Sequence, residues 1–249
     1  MRGFSREMLD LSNEDWVEVE RYNECLERLI ARRKSEIVVT GPLVDSKTAW
    51  KCVVLQQSLL YRITMLATGC ADMWNAKNVV GSILIARALL ETIAISKFIA
   101  DELEKLVTGK QIDAIDELAY KQLFSTRNET KVAEGWGFKA RSILTYIDKL
   151  DNYLAGVRDA YDFLSEFCHP NGIGHLSTYG EMNRTNGTVS FSEAAPTILG
   201  IQGHVLNCFM MILFVERIMD TFDQIVLTVP DFEPDSGPWI NDAALPRST

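Results

Sequence analysis

The stretch from Val79 to Ala100 is predominantly apolar, and its only charged residues are Arg87, Glu91 and Lys97. As a helix it is long enough to cross a bilayer, yet charge inside hydrocarbon is costly. A helix apolar round most of its circumference is otherwise stable only when other helices surround it. The stretch is therefore read as the buried helix of a bundle. Ile198 to Val215 has the same character and carries Gln202, His204 and Asn207.

Helical periodicity extends over most of the chain. Ser12 to Lys34 is predicted as a helix, with Ser12 as its cap, acidic residues at its start and Arg32, Arg33 and Lys34 at its end. That order complements the helix dipole. Gly41-Pro42 breaks the chain, and Asp45 or Ser46 caps a helix through about Trp74. Further helices are expected over about 78–107, 112–126, 139–150 and 153–168, with Glu134 to Gly137 as a loop. A last helix is expected from near Pro196 to Val226. Strand texture is confined to 175–182 and 188–192, and Asn186-Gly187 between them is a hairpin signal. The expected fold is an all-α, single-domain bundle of about seven helices with a small β-hairpin insertion near residues 175–192. The bundle is assigned to residues 1–228, followed by an irregular tail over 229–249 pinned by Phe232 and Trp239.

With 249 residues, 47% of them hydrophobic, the chain can bury a core without disulfides or a structural metal. Its five cysteines are scattered and form no C-x-x-C pair, which fits reduced thiols in a cytoplasmic protein. The first residues are charged and lack the apolar core of a signal peptide. A net charge of −9 with no basic stripe argues against broad nucleic-acid binding. No phosphate loop, dinucleotide fingerprint or zinc-hydrolase motif occurs, so no cofactor is implied. Glu166 and His169 form one Glu-x-x-His pair, but a di-iron bundle needs two, and no metal site is assigned. A small polar ligand, a protein partner or a second copy of the chain are the partners considered.

Candidate site residues fall on two helices. Arg87 and Glu91, four apart, share a face with Val80, Leu84, Ala94 and Phe98. Charges in an apolar stripe persist when paired. They form either an internal brace or a site. On the helix that ends at Pro170, Arg158, Asp162, Ser165 and His169 line one stripe beside an apolar face that includes Tyr161 and Cys168. Ser, Asp and His together resemble hydrolytic machinery, but no nucleophile elbow surrounds Ser165. His169 is a candidate acid or base at a forced helix end, beside the glycines Gly172 and Gly174. Cys168 is assigned to the core, and His204 is expected to be a core histidine satisfied by an amide such as that of Asn207.

Arg87-Ala88-Leu89-Leu90-Glu91, followed by Ser165 to Gly172, resembles an uncharacterised family of bacterial helical proteins with R-x-L-x-E and S-x-x-x-H-P motifs. The resemblance spans about Trp50 to Val215, and its motif positions here are Arg87, Glu91, Ser165 and His169. More distantly, the pattern is similar to the HEPN (higher eukaryotes and prokaryotes nucleotide-binding) superfamily, whose members include ribonucleases of toxin and antiphage systems. Those nucleases carry an arginine and a histidine separated by four to six residues; here Arg158 precedes His169 by eleven.

Three readings follow. The chain is a non-catalytic bundle that binds a small polar ligand or a partner at Arg87, Glu91 and His169. Or it is a HEPN-like nucleotide-acting enzyme in which His169 moves a proton and Arg158 or Arg87 holds phosphate. Or the motif is purely structural. The apolar faces of the two helices are expected to pack so that Glu91 meets His169, with Arg87 and Ser165 within one turn.

Overall fold

The computed structural model describes residues 2–193, 198–233 and 239. Its helices are α1 Asn13–Ala31, α2 Pro42–Asp45, α3 Lys47–Asn75, α4 Val79–Thr108, α5 Ile112–Leu123, α6 Glu129–Ala133, α7 Ile143–Tyr153, α8 Val157–Cys168, α9 Ile198–Met210 and α10 Ile212–Thr228. Two small ladders accompany them. β1 Ser125–Thr126 runs parallel to β2 Phe138–Lys139, and β3 Gly180–Asn183 pairs antiparallel with β4 Thr188–Phe191.

The long α3–α4 hairpin is the centre of the bundle. Lys77 adopts a left-handed φ of +62° in its turn, and the Asn78 side chain accepts the Gly81 N–H at 2.9 Å to start α4. α4 then packs against α3, α5, α7, α8, α9 and α10. Ile83, Ala86, Leu89, Ile93 and Leu103 lose all their exposed surface in doing so. By length and composition α4 is apolar enough to cross a membrane, and 56% of its most apolar window is buried inside the bundle. Its polar residues find partners: Ser82 Oγ donates across the hairpin to the Cys70 carbonyl of α3 at 3.0 Å, and Ser96 Oγ donates back along α4 to the Thr92 carbonyl at 2.8 Å.

Ser12 caps α1 as predicted, its Oγ accepting the Asp15 N–H at 3.1 Å. The basic end of α1 does more than face its own dipole. Arg28 forks onto Glu216 at 2.8 and 3.0 Å, and Arg32 reaches Asp220 and Asp223, each at 2.8 Å. Bidentate geometry makes this a directional latch between α1 and α10. The N-terminal segment is inserted into the fold. Phe4 is fully buried and stands edge-on to Phe209, with ring centroids 4.8 Å apart. Asn23 accepts from the Phe4 N–H and donates to the Phe4 carbonyl, both at 3.0 Å, standing in for a strand partner. Gly3 leaves room for that amide, because a Cβ there would lie 1.9 Å from the Asn23 Oδ1 and displace it. Near the other end, Ser46 and Thr48 donate to the Glu233 carboxylate, and the Trp239 indole donates to the Leu43 carbonyl at 2.7 Å.

The all-α class with a small hairpin stands; the details differ from expectation. Ten α-helices occur among the described residues rather than about seven. α2 and α6 are single short turns, and the last long helix is divided at Met211 into α9 and α10. The helix expected from 153 begins at Val157, because Gly156 turns left-handed with φ +93°. Asp151 then accepts the N–H groups of Gly156 and Arg158, both at 3.0 Å. The helix expected from 139 begins at Ile143, since Phe138–Lys139 are claimed by the parallel ladder with β1. Ile173–Ser177 forms a wide helical turn instead of the start of a strand, and the strand begins at Gly180. Gly187 supplies the positive φ of the hairpin turn, at +68°. The expected start at Pro196 and most of the tail assigned to 229–249 lie outside the described residues; Val229–Asp231 is a short 3₁₀ turn.

The central position of α4 predicts the response to truncation. Leu89→Ala or Ile93→Ala should each cost about 2–5 kcal/mol, the range for emptying a fully packed aliphatic site. Urea unfolding monitored by circular dichroism measures it. A loss no greater than that of a surface substitution would show that α4 is not the packing centre.

Candidate functional site

Arg87 and Glu91 lie on α4, opposite Tyr161 of α8. Their side chains keep 29% and 26% of their surface. Both helices are held rigidly by packing, so the three side chains meet in fixed geometry. Arg87 Nη2 donates to the Tyr161 hydroxyl at 2.7 Å, and that hydroxyl donates to Glu91 Oε1 at 3.0 Å. Arg87 Nη2 also stands 3.4 Å from Glu91 Oε1, and its guanidinium carbon lies 4.9 Å from the centre of the Tyr161 ring. Burial opposes the charge of Arg87, but the tyrosine hydroxyl and the nearby carboxylate outweigh it and raise its pKa. Arg87 Nε is buried and makes no hydrogen bond with the described residues.

Tyr161 is the residue that sequence reasoning placed only in the apolar face of α8. It is 3% exposed, and a buried phenol needs a partner for its hydroxyl. That requirement, set beside an Arg/Glu pair in an apolar stripe, was the available signal. Tyr161 takes the place expected of His169. Glu91 bonds Tyr161 and Arg87, and the expected Glu91–His169 pair is not formed.

His169 terminates α8 with extended backbone and is exposed. Its ring makes no hydrogen bond or ion pair with the described residues, whereas its carbonyl accepts the Asn171 N–H at 2.8 Å. Ser165 is not bonded to it: its hydroxyl donates back to the Tyr161 carbonyl at 2.7 Å. Arg158 and Asp162 form a separate surface group, in which Arg158 bonds Asp162 at 2.8 Å and Asp148 of α7 at 2.6 Å. The turn after α8 is tightly held. Asn171 donates to Glu166 at 2.9 Å and accepts the Gly174 N–H at 2.8 Å, and a Cβ on Gly174 would lie 1.9 Å from the His169 carbonyl oxygen. The glycine here serves close approach of the chain rather than flexibility.

Cys168 packs against the core and faces Arg87. Burial raises its thiol pKa, and the guanidinium only partly offsets that, so the protonated form predominates at neutral pH. His204 departs from the amide-bonded histidine expected. It stacks on Phe163 at 3.7 Å and 18°, its Nδ1 is buried without a partner among the described residues, and Asn207 is exposed. Burial lowers its pKa below the ordinary 6.5. Among the described residues, no group of three or more His, Cys, Asp or Glu side chains is placed to hold a metal ion.

Two outcomes follow. Glu91→Ala should cost about 1–2 kcal/mol, less than the 3–5 typical of a fully buried broken pair, because both partners keep contact with water. Tyr161→Phe should cost a similar amount by removing both hydroxyl bonds. Denaturant unfolding of the two variants and their double mutant should give strongly non-additive losses; additive losses would mean the three side chains do not act as a unit. The second concerns acid. A histidine whose folded pKa is depressed contributes stability above its unfolded pKa and loses it as pH falls. Stability should therefore decline as pH drops below about 6.5, and His204→Phe should flatten that part of the profile. The carboxyls of Glu102 and Glu216, held low mainly by bonds from Lys105 and Arg28, act in a separate window below about 4.5. An unchanged profile in His204→Phe would refute the assignment.

Comparisons with protein-family models, with curated proteins and with solved structures return no match to this chain.

Proposed function

We propose that this chain is a non-catalytic, HEPN-like helical binding protein of the cytoplasm. It holds a small polar ligand or a partner where α4 meets the end of α8, with Arg87 as the main anchor and Glu91 and His169 at the rim. The observation that carries this reading is the state of Arg87. Its guanidinium is oriented by Tyr161 and Glu91, still meets solvent, and has a buried Nε without a partner among the described residues. A pre-oriented guanidinium binds an anionic oxygen with little ordering cost.

A nucleotide-acting enzyme is the weaker alternative. Arg158, one of the two arginines that would hold phosphate, is already tied to Asp148 and Asp162, and the Ser165 hydroxyl donates to the Tyr161 carbonyl, with no base bonded to it among the described residues. A protein partner is favoured by a different feature. The register of β3 and β4 puts Met182, Val189 and Phe191 on one face, and these are 57%, 41% and 71% exposed. A purely structural brace is the reading in which Arg87, Tyr161 and Glu91 serve only one another.

A thermal-shift screen of the chain against phosphate, small carboxylates and nucleotides tests the proposal. A ligand at 100 times its Kd stabilises by about 2.7 kcal/mol, which is readily seen. The expected result is stabilisation by a small anion that Arg87→Met abolishes. If no anion stabilises the wild type and Arg87→Met merely lowers its stability, the cluster is a brace. Cleavage of RNA by the wild type, lost in His169→Ala, would instead establish the enzyme.

A further inference from the structure

A concave site lies away from the α4–α8 cluster and has a different character. It is a cleft of about 360 Å³ bounded by α3, α4, α5, α7 and the β1–β2 ladder. That volume is within the range of small-molecule sites. Its floor is apolar, with Leu55, Ile99 and Tyr146 each at most 5% exposed. Its rim carries Lys121, Arg127, Lys139 and Arg141, and no carboxylate lines it among the described residues.

Four cations round one cleft are unexpected in a chain of net charge −9. Several cations elsewhere in the bundle are paired with carboxylates, as Arg28, Arg32, Lys51 and Arg158 are. At this rim Lys121 is paired, with Glu117 at 2.5 Å, and the Arg141 guanidinium lies over the Phe98 ring at 5.4 Å. Arg127 and Lys139 make no ion pair or side-chain hydrogen bond with the described residues, and both are exposed. Their placement is set by backbone. β1 pairs with β2 so that Thr126 stands opposite Lys139, which brings the chain next to Arg127 beside the same mouth. Like charges gathered beside an apolar floor repel one another until an anion joins them.

We propose that this cleft binds an amphipathic anion: a carboxylate or phosphate head on an unbranched apolar tail. The tail lies on Leu55, Ile99 and Tyr146, and the head meets Arg127 and Lys139, with Lys121 and Arg141 flanking it. An uncharged amphiphile would gain only the apolar floor. A hydrophilic anion would gain only the rim, in competition with water and salt. The two together select a ligand with both parts.

Isothermal titration of the full chain with octanoate, octyl phosphate, octanol and inorganic phosphate tests this. Octanoate or octyl phosphate should bind at least about tenfold more tightly than octanol or phosphate, equivalent to about 1.4 kcal/mol. Whichever of the two binds better identifies the head group. The Arg127→Ala/Lys139→Ala double variant, altered only at exposed positions, should keep its helical circular dichroism and lose at least about tenfold in affinity, with a weaker salt dependence. Vesicles of anionic phospholipid should not pull the chain down in sedimentation. Octanol binding as tightly as octanoate, unchanged affinity in the double variant, no binding of either anion, or binding to vesicles alone would each overturn the proposal. Repeating the titrations in Arg87→Met removes any contribution of the α4–α8 site; the preference for octanoate or octyl phosphate over phosphate should persist there, so the two sites succeed or fail separately.

Discussion

Because α4 is apolar round most of its circumference, it is stable in water only if other helices cover it. That requirement organises the chain. α3 folds back along it through the turn at Lys77 and Asn78, and α5, α7, α8, α9 and α10 each lay an apolar stripe on it. Burial of an aliphatic side chain contributes roughly 1.5–3 kcal/mol, and α4 supplies many of them, so this layer outweighs any surface ion pair. The N-terminal insertion of Phe4 and the Arg28 and Arg32 latch then close the periphery of the bundle.

The same packing explains the form of the α4–α8 cluster. Arg87 and Glu91 lie at the margin of the buried surface, where α8 covers α4 incompletely. A bare ion pair there would be poorly satisfied. The Tyr161 hydroxyl receives a hydrogen bond from one and gives one to the other, and its ring supports the guanidinium. The polar stripe Arg158, Asp162 and His169 stays in solvent because α8 turns Tyr161, not that stripe, toward α4. The cationic cleft arises differently. It is built where α5 ends and the short β1–β2 ladder carries exposed side chains over a gap between α3, α4 and α7.

Sequence alone determined what depends on local periodicity and local chemistry. The apolar repeat placed the α3 and α4 boundaries within a residue or two, Ser12 was legible as a cap, the α3 cap was narrowed to Asp45 or Ser46, of which Ser46 serves, and Asn186-Gly187 was legible as the hairpin turn. The pairing of Arg87 with Glu91, four apart on one helix, was legible for the same reason. Tertiary structure decided everything that required a rotation or a partner distant in sequence. A helix of 3.6 residues per turn sets positions 161 and 169 about 80° apart, and periodicity does not specify which direction faces a neighbour; in the fold α8 turns Tyr161 toward α4, and His169 leaves the helix with extended backbone. Gly156, left-handed at φ +93°, sets the start of α8, and Met211 separates α9 from α10. The convergence of Lys121, Arg127, Lys139 and Arg141 joins α5, the β1–β2 ladder and the segments beside it round one cleft, next to where α5 and α7 pack on the buried α3–α4 pair.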